Sequence, residues 1–320
     1  MNKYIGSTNQ LYGVDEFRLS GGKADGMRML CVRNGKGLEF WISLDRCADV
    51  SRLSLKGDNF SFISACGFVS PQYYDINGLG FLKSFTAGFC TTCGLVAVGS
   101  PCSDNGDELP LHGTISNTPC DSFGYWVDDN NIHIKAIVRD ARIFSHKLVL
   151  EREYIVSLEK NEYTMTDKVK NIGSSESPYE IMYHCNIGYP LLSENAQINI
   201  SSVEVTARNE HAETGIDKWM KGEKPQADYE EMCFYHNFSD VGEASIYNPD
   251  INKGMKMTFD TKELKCFTQW KMMGEYDYVM GLEPGNCTPD GRDVMREKGM
   301  LEFIKPGESK KQTLKFEFIG

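Results

Sequence analysis

The 320-residue sequence contains no apolar run approaching the ~18 residues that a membrane-spanning helix requires, so no membrane partner is expected. Its opening, "MNKYIGSTNQLYG", lacks both an apolar stretch and a small-residue cleavage site, and it does not read as a secretory leader. Positive charge is short as well. Against 45 Asp and Glu stand 34 Lys and Arg, a formal net charge of -11 that would repel nucleic-acid phosphates. No Gly/Ser linker, long charge block, low-complexity tract or fixed-period repeat divides the chain. One domain over residues 1–320 is therefore expected, with the less patterned 1–25 covering an edge.

Disulfide-framework spacing is also missing. The 11 cysteines are odd in number and scattered, which points to reduced thiols and a cytoplasmic location. Cys90 and Cys93 in "FCTTCGL" have CxxC spacing. Zinc would need a second pair or suitably placed histidines, and redox chemistry a βαβ context. With neither in view, the pair reads as two small buried apolar residues. No metal and no cofactor are expected.

Helical periodicity is scarce, whereas two-residue alternation is everywhere. "LKFEFIG" sets Leu314, Phe316 and Phe318 on one face, and "QINISSVEVTAR" alternates through Ile198 and Ile200, then Val203 and Val205. "NIHIKAIV", "KLVLEREYIV" and "MLEFI" repeat the pattern between turn-forming stretches such as "DDNN" and "KPGES". Many strands and few, short helices imply an all-β protein of large antiparallel sheets packed face to face. Fold of this kind does not fix function.

Only six histidines are present. His133 and His146 lie in alternating runs, His211 lies in a polar segment and His236 follows a tyrosine. His112 in "LPLHGTISNTP" and His184 in "EIMYHCNIGYPLL" sit among apolar residues, where an imidazole is costly unless its nitrogens find partners. Satisfied core histidines would meet that need, and so would a site. Glu283 in "VMGLEPGNCTPDGR" follows an apolar run that alternates through Tyr276, Tyr278 and Met280. It is expected at a strand end, fixed by Pro284. Such a carboxylate either pairs with a cation, Arg292 or Lys271, or has a raised pKa and serves as acid or base. One glutamate and two histidines can open a sugar ring reversibly. A base takes the anomeric hydroxyl proton while an acid protonates the ring oxygen.

Taken together and in order, "LDRCADV", "LKSFTAGFCTTCGL", "LHGTISNTP", "YHCNIGYPLL" and "GLEPGNCTPDGR" resemble the aldose 1-epimerase (galactose mutarotase) superfamily, from about Gly37 to the C-terminus. The resemblance implies a β-supersandwich and a cofactor-independent sugar mutarotase or epimerase. It makes Glu283 the general base, His184 the general acid and His112 a group that binds and polarises the sugar near its ring oxygen. An ionised Glu283 beside a protonated His184 is expected at neutral pH, with burial and the histidine's charge pulling the carboxyl in opposite directions. Lys83 stands nearest to a substrate-contacting arginine of the family, although an ammonium cannot copy a bidentate fork. The family's substrate-binding aspartate has no counterpart at the level of motifs.

Further candidates for substrate binding come from the residues themselves. Trp270 can stack on a pyranose face or fill the core. Lys271, next to it, falls on the opposite strand face if the run is extended. Arg46 can anchor an acidic substituent or pair with Asp45 or Asp49. Asn186 can orient His184, bind a hydroxyl or complete a turn, and Arg292 closes the Glu283 motif. The expected partner is a small sugar, bound by a monomer or homodimer. Alternative readings are a carbohydrate-binding or sensor protein without turnover, an isomerase or lyase on a sugar derivative, and a two-histidine, one-carboxylate metal site.

Overall fold

The alternating segments form strands with the alternation intact. In a computed structural model describing residues 3–320, the strand Ser309–Ile319 buries Gln312, Leu314, Phe316 and Phe318 and turns the residues between them outward. Asn131–Ala141 and Lys147–Ser157 bury every second residue in the same way. Each fully buried large apolar side chain contributes roughly 1.5–3 kcal/mol, which fixes the register, because a one-residue slip would turn the whole row to water.

Three antiparallel sheets carry the molecule. One has eight strands, ordered 122–127, 131–141, 147–157, 162–171, 309–319, 253–260, 241–248 and 197–200. A second has seven, ordered 204–207, 232–237, 266–273, 278–285, 177–187 and 302–304, with 90–95 also paired to 177–187. The third has five, formed by residues 13–59. One apolar cluster joins all three, including Phe40 and Leu53, Leu150 and Phe316, and Tyr183 and Leu282. Only two short α-helices occur among the described residues, Glu210–Glu213 and Arg292–Glu297. No helix among them is long and apolar enough to cross a membrane.

Some local expectations differ from the structure. Part of the N-terminal segment is itself the outer strand of the five-stranded sheet, since Gly13–Arg18 pairs with Arg28–Arg33. Val203 is exposed just before the short strand Glu204–Ala207, so the second half of its alternation buries little. Tyr276 is exposed in a turn before the strand that holds Glu283. Glu283 does not end that strand, which runs Tyr278–Gly285; Pro284 still faces Phe267 in register.

The two residues of the CxxC spacing face apart. An extended strand sends residues i and i+3 to opposite sides. Cys90 accordingly joins the main core, and Cys93 packs with Met182, Cys287 and Met295. A hydrogen bond with Cys185, together with burial, pushes the Cys90 thiol up, and burial does the same to Cys93.

Candidate active site

The strand Ser177–Ile187 lies between Cys90–Leu95 and Tyr278–Gly285, which puts its middle in the interior of the seven-stranded sheet. His184 stands there beside Cys185, which pairs with Leu282, and so comes next to Glu283 on the adjoining strand. On the other side of Glu283, Thr268 of the strand Cys266–Met273 is its direct register partner. Thr268, Glu283 and His184 thus form one row across three strands, with Trp270 and Gly281 opposite each other in the next row. Gly281 has to be small. A Cβ there would lie 2.2 Å from Glu283 Oε1 and 2.9 Å from the Trp270 Cβ, so the glycine leaves the space into which the carboxyl folds.

His112 reaches the row from a loop. Its φ of 58° is left-handed, a region a histidine enters at some cost. Main-chain bonds hold it there, its N–H to the Gly99 carbonyl at 2.8 Å and its carbonyl accepting from Gly94 at 3.1 Å. The His112 and His184 rings meet edge to face at 5.4 Å, and His184 also meets the Trp270 ring edge to face at 5.2 Å.

A cavity of about 390 Å³ opens over this row, walled by both histidines, Glu283, Thr268, Trp270, Arg208, Glu231 and several apolar side chains. His184 Nδ1 lies 3.2 Å from Glu283 Oε1. Their alignment makes no hydrogen bond, for both atoms are buried without a partner, as are His112 Nδ1 and Thr268 Oγ1. The four atoms around one cavity are left able to hydrogen-bond a bound molecule.

Burial drives the central pair toward neutrality. It raises the Glu283 carboxyl well above its ordinary pKa, helped by the Glu231 carboxylate and opposed by Arg208. It lowers His184 to about 4, opposed by Asn186. It also holds His112 well below its usual value, aided by the charges of His184 and Arg208. Both shifts favour a carboxylic acid beside a neutral imidazole over the expected carboxylate and imidazolium. Both forms hold the same number of protons and differ by one transfer across the 3.2 Å gap.

The cavity brings together Glu283, His184, His112 and Trp270 but leaves out other candidates. Lys271 is on the opposite strand face, its ammonium 2.6 Å from Glu223 and 3.0 Å from the Lys218 carbonyl. Lys83 is exposed and paired with Asp75 at 2.8 Å. Arg292 is buried elsewhere, bound to Asp104 at 2.6 Å and Asp107 at 3.1 Å. Arg46 is buried with one Nη on the Val69 carbonyl at 3.1 Å, and burial pulls its pKa down to about 10. Neither expected carboxylate pairs with it: Asp45 holds Arg28 and Asp49 holds Arg152. Asn186 binds the main-chain carbonyl of His184 at 2.8 Å, which supports the histidine from behind.

Arg208, Glu231 and Thr268 were not singled out by the sequence. Arg208 is anchored by Asp290 at 3.1 Å, Ser100 at 3.3 Å and the Pro289 carbonyl at 3.1 Å, and Asp290 lies in the quoted "GLEPGNCTPDGR" segment. Glu231 accepts from Trp270 Nε1 at 2.6 Å. Nothing local separates it from Glu230, whose carboxylate turns toward His211. Among the described residues no group of three or more His, Cys, Asp or Glu is arranged to hold a metal ion.

Comparison with known proteins agrees with this fold. Residues 24–318 match the family model described as domain of unknown function (DUF4432). A solved structure from Klebsiella pneumoniae subsp. pneumoniae MGH 78578, provisionally named an aldose 1-epimerase, superposes with a TM-score of 0.91 at 26% identity, covering 98% of this chain and 86% of that one. A galactose mutarotase-like protein from Clostridium acetobutylicum gives 0.69 at 16% identity, with 97% and 99% of the two chains covered. A galactose 1-epimerase from Lactobacillus acidophilus NCFM gives 0.66 at 13%, with 96% and 98% covered. No curated protein matches the sequence. The fold is galactose mutarotase-like, all β with large antiparallel sheets.

Proposed function

We propose that this chain, which belongs to the DUF4432 family, interconverts the α and β anomers of an aldose by general acid–base opening of the sugar ring. The observation that carries the reading is the buried, unpartnered Glu283–His184 pair, 3.2 Å apart in a cavity that also holds His112 and Trp270. The hydroxyl and ring oxygens of a cyclic sugar share one carbon, so a base and an acid serving both must themselves be neighbours. In this reading a sugar binds with its anomeric hydroxyl on Glu283 and its ring oxygen toward His184 and His112. The hydrogen bond from the hydroxyl and the nearby Arg208 charge favour the carboxylate, and the proton passes to His184. Glu283 takes the hydroxyl proton, His184 delivers its own to the ring oxygen, and the bond between the anomeric carbon and that oxygen breaks. Rotation of the aldehyde and the reverse steps give the other anomer. Thr268 and Glu231 offer acceptors for further hydroxyls, Glu231 as the carboxylate that the family resemblance left without a counterpart.

Exchange spectroscopy by NMR between the two anomers of a panel of aldoses tests the proposal. Catalysed exchange with at least one sugar, lost in Glu283→Gln while binding persists, is expected. Sugar binding with no exchange in the parent protein would instead leave a carbohydrate sensor. Neither binding nor exchange across the panel would remove the sugar-site reading altogether.

A further inference from the structure

Apolar side chains line the cavity beside its two histidines, and their place bears on substrate choice. The following rests on the reading above, in which the two histidines face the ring oxygen. That oxygen is bonded to both the anomeric carbon and C5, so the C5 substituent lies beside the groups that contact it. Beside the two imidazoles stand phenyl rings, Phe81 with its centroid 5.2 Å from His112 and Phe85 with its centroid 5.3 Å from His184. The two phenyls pack together at 4.9 Å. Leu79, Leu82 and Leu111 continue the wall, and Leu79 and Leu82 are 60% and 53% exposed at the mouth. None of the five offers a hydrogen-bonding side-chain atom.

The cations nearby are each anchored by a carboxylate. Arg208 uses Nε on Asp290 and one Nη on Ser100 and the Pro289 carbonyl. Lys83, just beyond the phenyl wall, is held by Asp75. A hydroxymethyl or phosphorylated carbon at C5 set against these five side chains would thus lose water and gain no partner from them, whereas a methyl group would gain contact. We propose that the preferred substrates are 6-deoxyhexoses, with Phe81, Phe85 and the Leu79–Leu82 rim forming a methyl subsite.

Three matched pairs that differ only by the 6-hydroxyl test this: D-fucose and D-galactose, L-rhamnose and L-mannose, and 6-deoxy-D-glucose and D-glucose. Anomer exchange is measured for each with the parent protein and with Leu82→Asn, a change at a half-exposed position that leaves the catalytic pair untouched. The 6-deoxy member of the best pair is expected to show a kcat/KM about 10- to 100-fold higher, the range over which an apolar pocket discriminates against an added hydroxyl. Leu82→Asn should shrink that ratio by raising KM for the deoxy sugar while kcat holds. Equal or inverted ratios in all three pairs would overturn the methyl subsite and leave the epimerase reading standing. An unchanged ratio in Leu82→Asn would also count against the rim. Absence of exchange with every sugar would remove the epimerase reading, and this inference with it.

Discussion

At the scale of single residues, the proposed mechanism makes the Glu283–His184 pair one acid–base unit that holds one transferable proton. A second proton enters on His184, whose pKa burial lowers to about 4. The first leaves from Glu283, which burial raises well above the ordinary carboxylate range. Anomer exchange should accordingly follow a bell-shaped pH profile, with an acid limb near pH 4 set by the histidine and a basic limb set by the carboxyl. This inverts the assignment suggested by ordinary pKa values, in which the carboxylate sets the acid limb. Glu283→Gln should remove the basic limb along with roughly 10²–10⁴-fold of the rate. His184→Asn should remove the acid limb, and the double variant should fall little below the worse single one, because the two groups act as a unit. Fully multiplicative losses, or a basic limb that survives in Glu283→Gln, would show that the pair does not work together.

At the scale of the strand, Tyr278–Gly285 sets the carboxyl's position through Gly281. A methyl group added there would overlap Glu283 Oε1 at 2.2 Å. Gly281→Ala is therefore expected to swing the carboxyl out of the row, lowering kcat at least tenfold for a misplacement of about 1 Å. KM should change little, and the urea midpoint should stay close to that of the parent. A variant with unaltered kcat would mean that the folded-back carboxyl is not the reactive position. The strand Lys147–Ser157 shows a different constraint. Its inward row carries Arg152 between Leu150 and Tyr154, bound to Asp49 and Asp167 at 2.6 Å each and to Thr92 at 2.7 Å. Arg152→Ala leaves two buried carboxylates without their cation, at a cost of about 3–5 kcal/mol. Equilibrium denaturation should reveal that loss; a change below 1 kcal/mol, roughly the level of a surface pair, would show the network to be dispensable.

At the scale of the whole molecule, one apolar cluster draws residues from all three large sheets. The strand Ser309–Ile319 near the C-terminus lies between Glu162–Asn171 and Lys253–Asp260, so the eight-stranded sheet is closed by distant parts of the chain. The eight-stranded and seven-stranded sheets each draw strands from both halves of the sequence. Limited proteolysis should therefore trim loops and ends before cooperative loss of the whole, and two stable fragments of comparable size would contradict a single folding unit.

The sequence by itself determined the strands and their inward faces, because a period of two is a local property and the burial of Leu314, Phe316 and Phe318 follows from it. It also brought out His112, His184, Glu283 and Trp270, chemically able residues set in apolar or motif-bearing stretches. Tertiary structure alone decided which candidates share a cavity. Lys271 is one residue from Trp270 yet faces Glu223, as strand alternation requires once the inward side is known. Arg208, Glu231 and Thr268 meet Glu283 through pairings between strands distant in sequence, which no local pattern encodes. The pull on the site's acid–base groups was decided there too. A carboxyl in a loop ionises at an ordinary pH, whereas the same carboxyl enclosed between strands loses its water and its pKa rises.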